Sequence, residues 1–210
     1  MHDVSIIDYK MGNLYSVECA LKYVGIKSII TDDLKVIKNS KCIILPGVGA
    51  FPEAMKRLKE KKLDQAIKDF NDSKKKIIGI CLGMQLLFDK SYENGITNGL
   101  GFLKGEVKKF DVIDEEKQKQ YFNVGWRKLV IKTNDNLSCC IPKKIDEEMY
   151  FIHSYHVVPE DSSIKTSTSK FFGKEFTSSV KKDNIEAFQF HPEKSRTAGI
   201  NIYKKLKEFL

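Results

Sequence analysis

The stretch KIIGICLGMQLLFDKS, residues 76–91, decides the fold class, because it leads from a buried strand into a helix through a Gly-x-Cys-x-Gly turn. Its first apolar run is short and rich in isoleucine, as in a strand that is buried on both faces. The second apolar run has helical spacing, so a helix is expected to begin at GMQLLFDK. A cysteine that only fills a core needs no glycine on either side, and the spacing therefore indicates a chemical role for Cys81.

Residues 79–83 have the spacing of a nucleophile elbow, in which a tight strand-to-helix turn presents the reactive side chain. The N-terminus of the helix directs unpaired N–H groups and a positive dipole at the sulfur, which favours the thiolate. The same amides, that of Leu82 first, can stabilise an oxyanion on the attacked carbonyl. Taken alone, the pentapeptide fits a buried core cysteine between two packing glycines equally well.

The whole chain is expected to form one α/β domain over residues 1–210. In its first half, near-continuous apolar strands alternate with helical patterns, which is typical of a parallel sheet covered on both faces. The second half favours an antiparallel portion, followed by a final helix over residues 197–209. The predicted strands are 4–8, 27–31, 42–45, 76–81, 107–111, 121–131, 148–157, 171–180 and 185–190, and the earlier helices are 13–24 and about 52–70, with a solvated hairpin tip at 114–120.

Composition excludes several classes of protein. No apolar run reaches the roughly 18 residues of a membrane span, and the N-terminal MHDVSIIDY lacks the regions of a secretory signal. The net charge is +8, but only three of the 36 basic residues are arginine and no aromatic residues are interleaved with them, which disfavours nucleic-acid binding. Five cysteines without paired spacing indicate reduced thiols and a cytoplasmic protein.

A catalytic cysteine needs a base, and His191 is the best candidate among the four histidines. It follows the predicted strand IEAFQF, so it also lies at a strand end, where reactive groups of open α/β sheets gather. Glu193, two residues on, can accept the second ring N–H and orient the imidazole. Alone, the sequence His-Pro-Glu is more typical of an exposed turn, but beside an elbow it completes a triad.

The other histidines and cysteines do not suggest a metal site. His153 and His156 lie in YFIHSYHV, which has strand character, so they are expected to point to opposite faces. Cys139 and Cys140 are adjacent, without further ligands at zinc-site spacing. Two other cysteines, Cys19 in a helix and Cys42 in a strand, are expected to fill core space.

The stretch ILPGVGAF carries a third signal. A strand runs into Pro46 and then into Gly47, Val48 and Gly49, where glycines allow the backbone amides to approach a ligand closely. Alone it predicts a tight turn. Next to the elbow, it is a candidate for the second oxyanion donor.

Four separated motifs, GICLGMQLLF, LPGVGAF, YFIHSYHV and QFHPEKS, occur in an order that resembles the class I glutamine amidotransferases. More narrowly, the chain is similar to the glutaminase subunits of imidazole glycerol phosphate synthases, from IDYKMGN to the final helix. The resemblance implies a flavodoxin-like mixed sheet flanked by helices, glutamine as the substrate and no cofactor. It implies Cys81 as nucleophile, His191 as general base, Glu193 as its orienting partner, oxyanion donors at Leu82 and residues 47–49, and substrate contacts at Gln85, Glu93, Ser154 and Tyr155.

The resemblance also implies a separate synthase subunit, a (β/α)₈ barrel that uses the ammonia, because the glutaminase pattern occupies all 210 residues. The family's interface positions correspond to Asn13, Trp126, Tyr150 and Lys194. For Trp126, a place in the core is the alternative. Lys10 replaces a glycine of the family pattern, and the usual Pro-His-Met-Gly-Trp-Asn segment is FNVGWR here, so a paralogue that serves another barrel-type synthase, such as one modifying a surface-glycan sugar, is the alternative to histidine biosynthesis.

Overall fold

The structure, a computed structural model, describes residues 2–111, 113–114, 119–120, 122–132, 140–141 and 148–210. Helices and strands alternate through the first half, and strands predominate in the second, as predicted. The helices are α1 (Leu14–Tyr23), α2 (Leu34–Asn39), α3 (Phe51–Glu60), α4 (Leu63–Asp72), α5 (Leu82–Leu86) and α6 (Arg196–Lys207). The strands are β1 (Val4–Ile7), β2 (Ser28–Thr31), β3 (Cys42–Leu45), β4 (Lys76–Ile80), β5 (Phe88–Ser91), β6 (Thr97–Asn98), β7 (Leu103–Lys109), β8 (Ile113–Asp114), β9 (Lys119–Gln120), β10 (Asn123–Lys128), β11 (Val130–Ile131), β12 (Glu148–His153), β13 (Tyr155–Pro159), β14 (Lys165–Phe171), β15 (Lys174–Lys182) and β16 (Ile185–Phe188).

A mixed sheet of eight strands lies at the centre of the described part of the chain, in the order β11-β14-β15-β16-β4-β3-β1-β2. The strands from β16 to β2 are parallel, whereas β11, β14 and β15 pair antiparallel with their neighbours. Although β16 is the last strand in sequence, it pairs directly with β4, and Phe188 lies opposite Ile80. The strand ends that precede Cys81 and His191 are therefore side by side.

The inner parallel strands β1, β3, β4 and β16 are buried on both faces, because alternate side chains enter two different cores, whereas the edge strand β2 is half-buried. Ile44 and Ile78 belong to the core that includes α1 and α6. Their neighbours Ile43 and Ile77 belong to the core that includes α2, α3 and α4. The predicted α/β class, with a mixed sheet between helices, is confirmed.

Three smaller sheets accompany the central one in the described residues. β13, β7, β5 and β6 form a four-stranded sheet in that order, β10 pairs antiparallel with β12, and β8 pairs with β9. Of the predicted hairpin tip at 114–120, residues 115–118 lie outside the described residues, and Tyr121 of the predicted strand 121–131 does as well.

Two helix predictions were wrong in extent. The helix expected over residues 52–70 is two helices, because the chain turns at Lys62, which has a left-handed φ of 56°. The helix that starts after Cys81 ends at Leu86, and Phe88–Ser91 leaves it as β5, which pairs with β6 and β7. In the second case, strand pairing overrides a helical apolar pattern.

Other boundaries also differ from prediction. Helix α2 was not predicted; Asp33 caps it by accepting from the N–H groups of Lys35 and Val36. The strand expected over 148–157 is divided at Ser154 into β12 and β13. The strand expected over 171–180 begins after a turn, where Phe172 has a φ of 47°.

The cysteine predictions had mixed outcomes. Cys42 is fully buried in the core, as expected. The placement of Cys19 in the core was wrong, since α1 buries Val17 and Ala20 and leaves Cys19 exposed on its other face. Cys139 lies outside the described residues.

Candidate active site

Cys81 occupies a strained turn between β4 and α5. Its φ of 53° and ψ of −109° lie in a region that residues with a side chain rarely adopt. The turn is held by its backbone, because the Cys81 N–H donates to the Phe188 carbonyl (2.7 Å) and the Cys81 carbonyl accepts from the Gln85 N–H (3.2 Å). The side chain of Cys81 is only 4% exposed. Because its backbone is fixed and its surroundings are packed, the sulfur is held at one defined position.

Glycines on either side of Cys81 allow the elbow to pack closely. A Cβ atom on Gly83 would lie 1.8 Å from the Leu45 carbonyl oxygen, and one on Gly79 would lie 2.9 Å from the Cα of Met84. A Cβ on Gly47 would lie 2.7 Å from the Cβ of Leu82. The turn after β3 therefore lies directly against the elbow, as the topology of parallel strands predicts.

His191 lies in the turn that follows β16. Its Nδ1 is 2.7 Å from Oε1 of Glu193, and both side chains are buried, with 2% and 1% exposed. The turn is fixed by Ser195, whose hydroxyl donates to the His191 carbonyl (2.6 Å) and accepts from the Tyr150 N–H (3.0 Å). It is also fixed by α6, since a Cβ on Gly199 would lie 1.8 Å from the Pro192 carbonyl oxygen.

The electrostatics of the site favour a charged imidazole. Burial alone would lower the pKa of His191, but the negative charges of Cys81 and Glu193 outweigh it and raise the pKa to about 10. The other ring nitrogen, Nε2, is buried and has no hydrogen-bond partner among the described residues. This nitrogen is thus available for proton transfer next to the sulfur.

A pocket of about 480 Å³ opens beside Cys81. It brings together eight of the residues proposed from the sequence, whereas Gly47, His191 and Glu193 do not line it. The predicted residues in the wall are Val48, Gly49, Cys81, Leu82, Gln85, Glu93, Ser154 and Tyr155. The remaining wall residues are Phe122, Val124, Ile152 and His153.

Two polar side chains of the pocket are held in place by neighbours. Glu93 accepts a hydrogen bond from the Phe51 N–H at the start of α3 (2.7 Å to Oε2). Gln85 is 4% exposed, and its amide nitrogen donates to the Tyr155 carbonyl (2.9 Å) and to Oε1 of Gln189 (3.2 Å). Both therefore present defined polar atoms to a ligand.

Gln189 is a site residue that the sequence reasoning missed. It is fully buried, and its Nε2 lies 3.7 Å from Sγ of Cys81. The sequence gives no local sign of these contacts, because Gln189 lies just beyond β16 and its partners belong to a distant segment of the chain.

The prediction for His153 and His156 was wrong, because the strand is interrupted at Ser154. Both rings contact Phe110, with centroid distances of 5.2 Å and 4.5 Å. His153 is held by Asn123, whose Nδ2 is 2.8 Å from Nε2, and by the Tyr155 carbonyl, 2.8 Å from Nδ1. Burial lowers the pKa of His153 to about 3, so this ring is neutral and its Nδ1–H donates.

The predicted interface residues lie on neighbouring elements. Trp126 and Tyr150 face each other across β10 and β12, with ring centroids 5.6 Å apart, and the guanidinium of Arg196 covers Trp126 at 4.4 Å. Trp126 is partly exposed, which places it neither in the core nor fully in solvent. Lys194 is exposed in the turn after His191, and Asn13 begins α1, which packs against that turn.

Across the described residues, no group of three or more histidine, cysteine or acidic side chains could hold a metal ion. In the same part of the chain, none of the helices has the length and apolar character to cross a membrane.

Comparison with known proteins places this chain in a family. The family model of the class-I glutamine amidotransferases matches residues 5–206. The chain is 42% identical to the imidazole glycerol phosphate synthase subunit HisH of Sulfurimonas denitrificans, over 98% of both proteins, and 42% identical to that of Aquifex aeolicus, over 96% of this chain and 94% of that protein.

Solved structures support the same fold. A chain in the structure of PurLQS from Thermotoga maritima superposes with a TM-score of 0.76 at 19% identity, over 98% of this chain and 97% of that one. The glutaminase domain of Trypanosoma brucei CTPS superposes with a TM-score of 0.62 at 14% identity, over 99% and 92%. The chain belongs to the class I glutamine amidotransferases and, within them, to the family of the HisH subunits.

Proposed function

We propose that this chain is a glutaminase subunit that hydrolyses glutamine to glutamate and passes the ammonia to a separate synthase subunit in imidazole glycerol phosphate synthesis. The observation that carries the proposal is the buried His191–Glu193 pair beside the elbow residue Cys81. Cys81 itself lines a pocket whose wall also contains the acidic side chain of Glu93 and the amide of Gln85. The similarity to HisH subunits supports the choice of acceptor.

In the proposed reaction, the Cys81 thiolate attacks the side-chain amide carbon of glutamine, and the C–S bond forms as the carbonyl oxygen takes the negative charge. The N–H of Leu82 and an amide of the turn at residues 47–49 are suited to stabilise that oxyanion. The His191 imidazolium then gives its proton to the departing ammonia. Water, deprotonated by His191, hydrolyses the thioester and releases glutamate.

The pocket suits glutamine at both ends. Glu93 lines it and is anchored through one oxygen to the Phe51 N–H, so its other oxygen can accept from the α-ammonium group. Gln85 uses its two N–H bonds on protein acceptors, which leaves its carbonyl oxygen for a ligand donor. Ser154 and Tyr155 are in the wall and are proposed to contact the backbone of the substrate.

The synthase subunit is proposed to be a (β/α)₈ barrel that docks on Asn13, Trp126, Tyr150 and Lys194. Ammonia released into water at neutral pH becomes mostly ammonium, which is not nucleophilic, so docking makes the reaction useful. Apolar side chains near the pocket, Phe122 and Val124, are 56% and 51% exposed, which is consistent with a covered surface. We infer that the complex works in a reducing cytoplasm, where the Cys81 thiol persists.

The glutaminase step is tested by replacing the nucleophile. In the complex with the synthase subunit, Cys81→Ala is expected to reduce glutamine hydrolysis by about 10⁴-fold or more, because no other group can form the thioester. Cys19→Ala is the matched control, since Cys19 is exposed on α1 and outside the site. Glutamate release that persists in Cys81→Ala would refute the proposal.

The acceptor is tested by complementation. The test uses a histidine auxotroph that lacks its own glutaminase subunit. The genes for this chain and for its barrel partner are expressed there together, and they are expected to restore growth on low ammonium. The altered FNVGWR segment, which carries Asn123 and Arg127, gives a specific reason to test the alternative of a paralogue for a glycan-sugar synthase. Growth that fails while glutamine hydrolysis is intact would favour that alternative.

A further inference from the structure

Gln189 lies between the nucleophile and a wall of the pocket, and we propose that it is a further catalytic residue, which stabilises the attacking form of Cys81 and orients Gln85. The inference rests on the proposed function, because it concerns the reactivity of the same cysteine.

The side chain of Gln189 bridges two residues of the site. It is fully buried, so its polar atoms depend on protein partners rather than on bulk water. Its Nε2 is 3.7 Å from Sγ of Cys81, and its Oε1 accepts from Nε2 of Gln85 at 3.2 Å. The backbone N–H of Gln189 donates to the Ser178 carbonyl (2.9 Å), which fixes the point from which the side chain extends.

The network determines which end of the amide faces the sulfur. Nε2 of Gln85 has two N–H groups, and it directs one to the Tyr155 carbonyl and the other to Gln189. The Tyr155 carbonyl can only accept a hydrogen bond, so the amide group of Gln85 must turn its nitrogen toward it. The second N–H of that nitrogen then points at Gln189 and needs an acceptor there, which is Oε1. A flipped Gln189 would set two donors against each other and place an oxygen against the sulfur. The amide nitrogen is therefore held toward Cys81.

Two of the polar groups near the sulfur, the Ile152 carbonyl and the Gln189 amide, favour opposite protonation states. The Ile152 carbonyl, 3.8 Å away, can accept from the neutral S–H group but offers nothing to a thiolate. The Gln189 N–H can donate to the thiolate, and hydrogen bonds to a charged acceptor are the stronger kind. Gln189 thus shifts the balance toward the nucleophile, in addition to the effect of His191.

The same contact couples the nucleophile to the substrate wall. While Gln189 holds Nε2 of Gln85, the carbonyl oxygen of Gln85 stays directed away from that bond, where a ligand donor can reach it. Loss of the Gln189 amide is therefore expected to affect both the reactivity of the sulfur and the affinity for glutamine.

The test follows the rate of alkylation of Cys81 by iodoacetamide against pH, with the modified cysteine identified by mass spectrometry. Gln189→Met keeps the length of the side chain and removes the N–H, and Gln189→Glu replaces the donor with an acceptor. Both are expected to raise the midpoint pH of alkylation by about one unit, which is about tenfold in reactivity below the midpoint. The ionisable groups near the sulfur are His191 with Glu193 behind it, Tyr9, and His153 and Glu93 in the pocket wall, and all of them are kept in both variants. Gln189→Met adds no further ionisable group, whereas Gln189→Glu adds its own carboxyl, so Gln189→Met is the decisive variant.

Gln65→Met is the matched control, because Gln65 is exposed on α4 and bonds only to Asp69 in the described structure. Cys19, exposed in the same molecule, serves as the internal reference for alkylation and for reagent quality. Circular dichroism identifies a variant that does not fold, and Gln189→Asn, whose amide is one methylene too short to reach both partners, then takes its place with the same expectation.

In the complex with the synthase subunit, Gln189→Met is expected to lower kcat about tenfold and to raise KM for glutamine. If Gln189 had only a structural role, the substitution would leave the alkylation midpoint, kcat and KM of the folded molecules unchanged. Midpoints equal to that of the unaltered chain would overturn the role of Gln189. Should Cys81 of the unaltered chain react no faster than Cys19 at neutral pH, the proposed function itself would fail, which separates the two hypotheses.

Discussion

Cys81 and His191 follow two strands that pair side by side, β4 and β16, yet the two halves of the site are constructed differently. On the cysteine side, a backbone with a φ of 53° and two close-packed glycines set the position of the sulfur. On the histidine side, a close-packed glycine of α6 positions only the turn, and the imidazole itself is oriented by a 2.7 Å bond to Glu193.

The difference shows how each group obtains its reactivity. A nucleophile must approach the substrate carbon along one direction, and steric packing fixes direction without adding charge. The proposed acid–base group must take up a proton and give it away again, and in a buried place negative charges and hydrogen bonds from its neighbours are what raise its pKa. Substitutions on the cysteine side should therefore act through folding, and those on the histidine side through electrostatics.

The largest effect is expected from Gly83→Ala on the cysteine side. The new Cβ would meet the Leu45 carbonyl oxygen at 1.8 Å, and backbone atoms of β3 would have to move, so the free energy of unfolding should fall by at least about 3 kcal/mol. Gly173→Ala is the control, since its φ of 74° strains the backbone but no atom lies within 4 Å. Urea denaturation measures both, and equal losses would contradict the steric account.

A smaller effect, on rate rather than on folding, is expected from Glu193→Gln. The amide oxygen can still accept from Nδ1 of His191, but the charge that raises the pKa of His191 is lost. Glutamine hydrolysis in the complex should fall by about 10²-fold, roughly 2.7 kcal/mol in activation free energy, and the pH–rate profile should shift.

Glu160→Gln provides the matched change of charge at an exposed position away from the site. It is expected to leave the rate and its pH profile as they are. If Glu193→Gln instead destabilised the chain while the rate per folded molecule stayed constant, the electrostatic account of the histidine side would be wrong.

The smallest effect concerns His153, a buried histidine without a carboxylate partner. Burial, with smaller contributions from the neighbouring charges of His156, His191 and Arg127, lowers its pKa to about 3 from the ordinary value of 6.5. The unfolded chain therefore binds one more proton than the folded chain between these values, and stability is lost as the pH falls through that window. From pH 7 to pH 5, the free energy of unfolding should fall by about 2 kcal/mol because of His153. This figure corresponds to the roughly 1.5 pH units between the ordinary pKa and pH 5, at about 1.4 kcal/mol for each unit.

Urea unfolding at the two pH values measures this loss, and His153→Gln should reduce it. His191 contributes a smaller change of the opposite sign, because its raised pKa keeps it protonated in the folded chain while the unfolded chain takes up this proton only as the pH falls through 6.5. That contribution is expected to be the same in His153→Gln, so the comparison of the two chains isolates His153. If the free energy of unfolding fell by the same amount from pH 7 to pH 5 in His153→Gln as in the unaltered chain, a group other than His153 would be responsible for the loss.

The proximity of Cys81, the turn at residues 47–49 and His191 could be predicted from the sequence, because local patterns determine it. The isoleucine runs identify the parallel strands, and the ends of such strands meet at one edge of the sheet, which brings Cys81, the turn at residues 47–49 and His191 together. The pairing of Glu193 with His191 is visible at a spacing of two residues.

The remainder depended on contacts between distant segments. Leu87 and Phe88 continue an apolar pattern with helical spacing, but pairing of residues 88–91 with β7 ends the helix early. Gln189 carries no local sign of its two partners, since Cys81 and Gln85 are more than a hundred residues away. His153 and His156 meet Phe110 only because the strand is interrupted at Ser154.

The pairing of β16 with β4 also has a consequence for how the protein is made. The ribosome releases the N-terminal segments first, so the elbow strand emerges long before residues 185–188, its neighbour on one side. During synthesis Cys81 has neither the Phe188 carbonyl that holds its backbone nor the His191 base. The surroundings of Cys81 are therefore complete only when residues 185–193 have left the ribosome and joined the sheet.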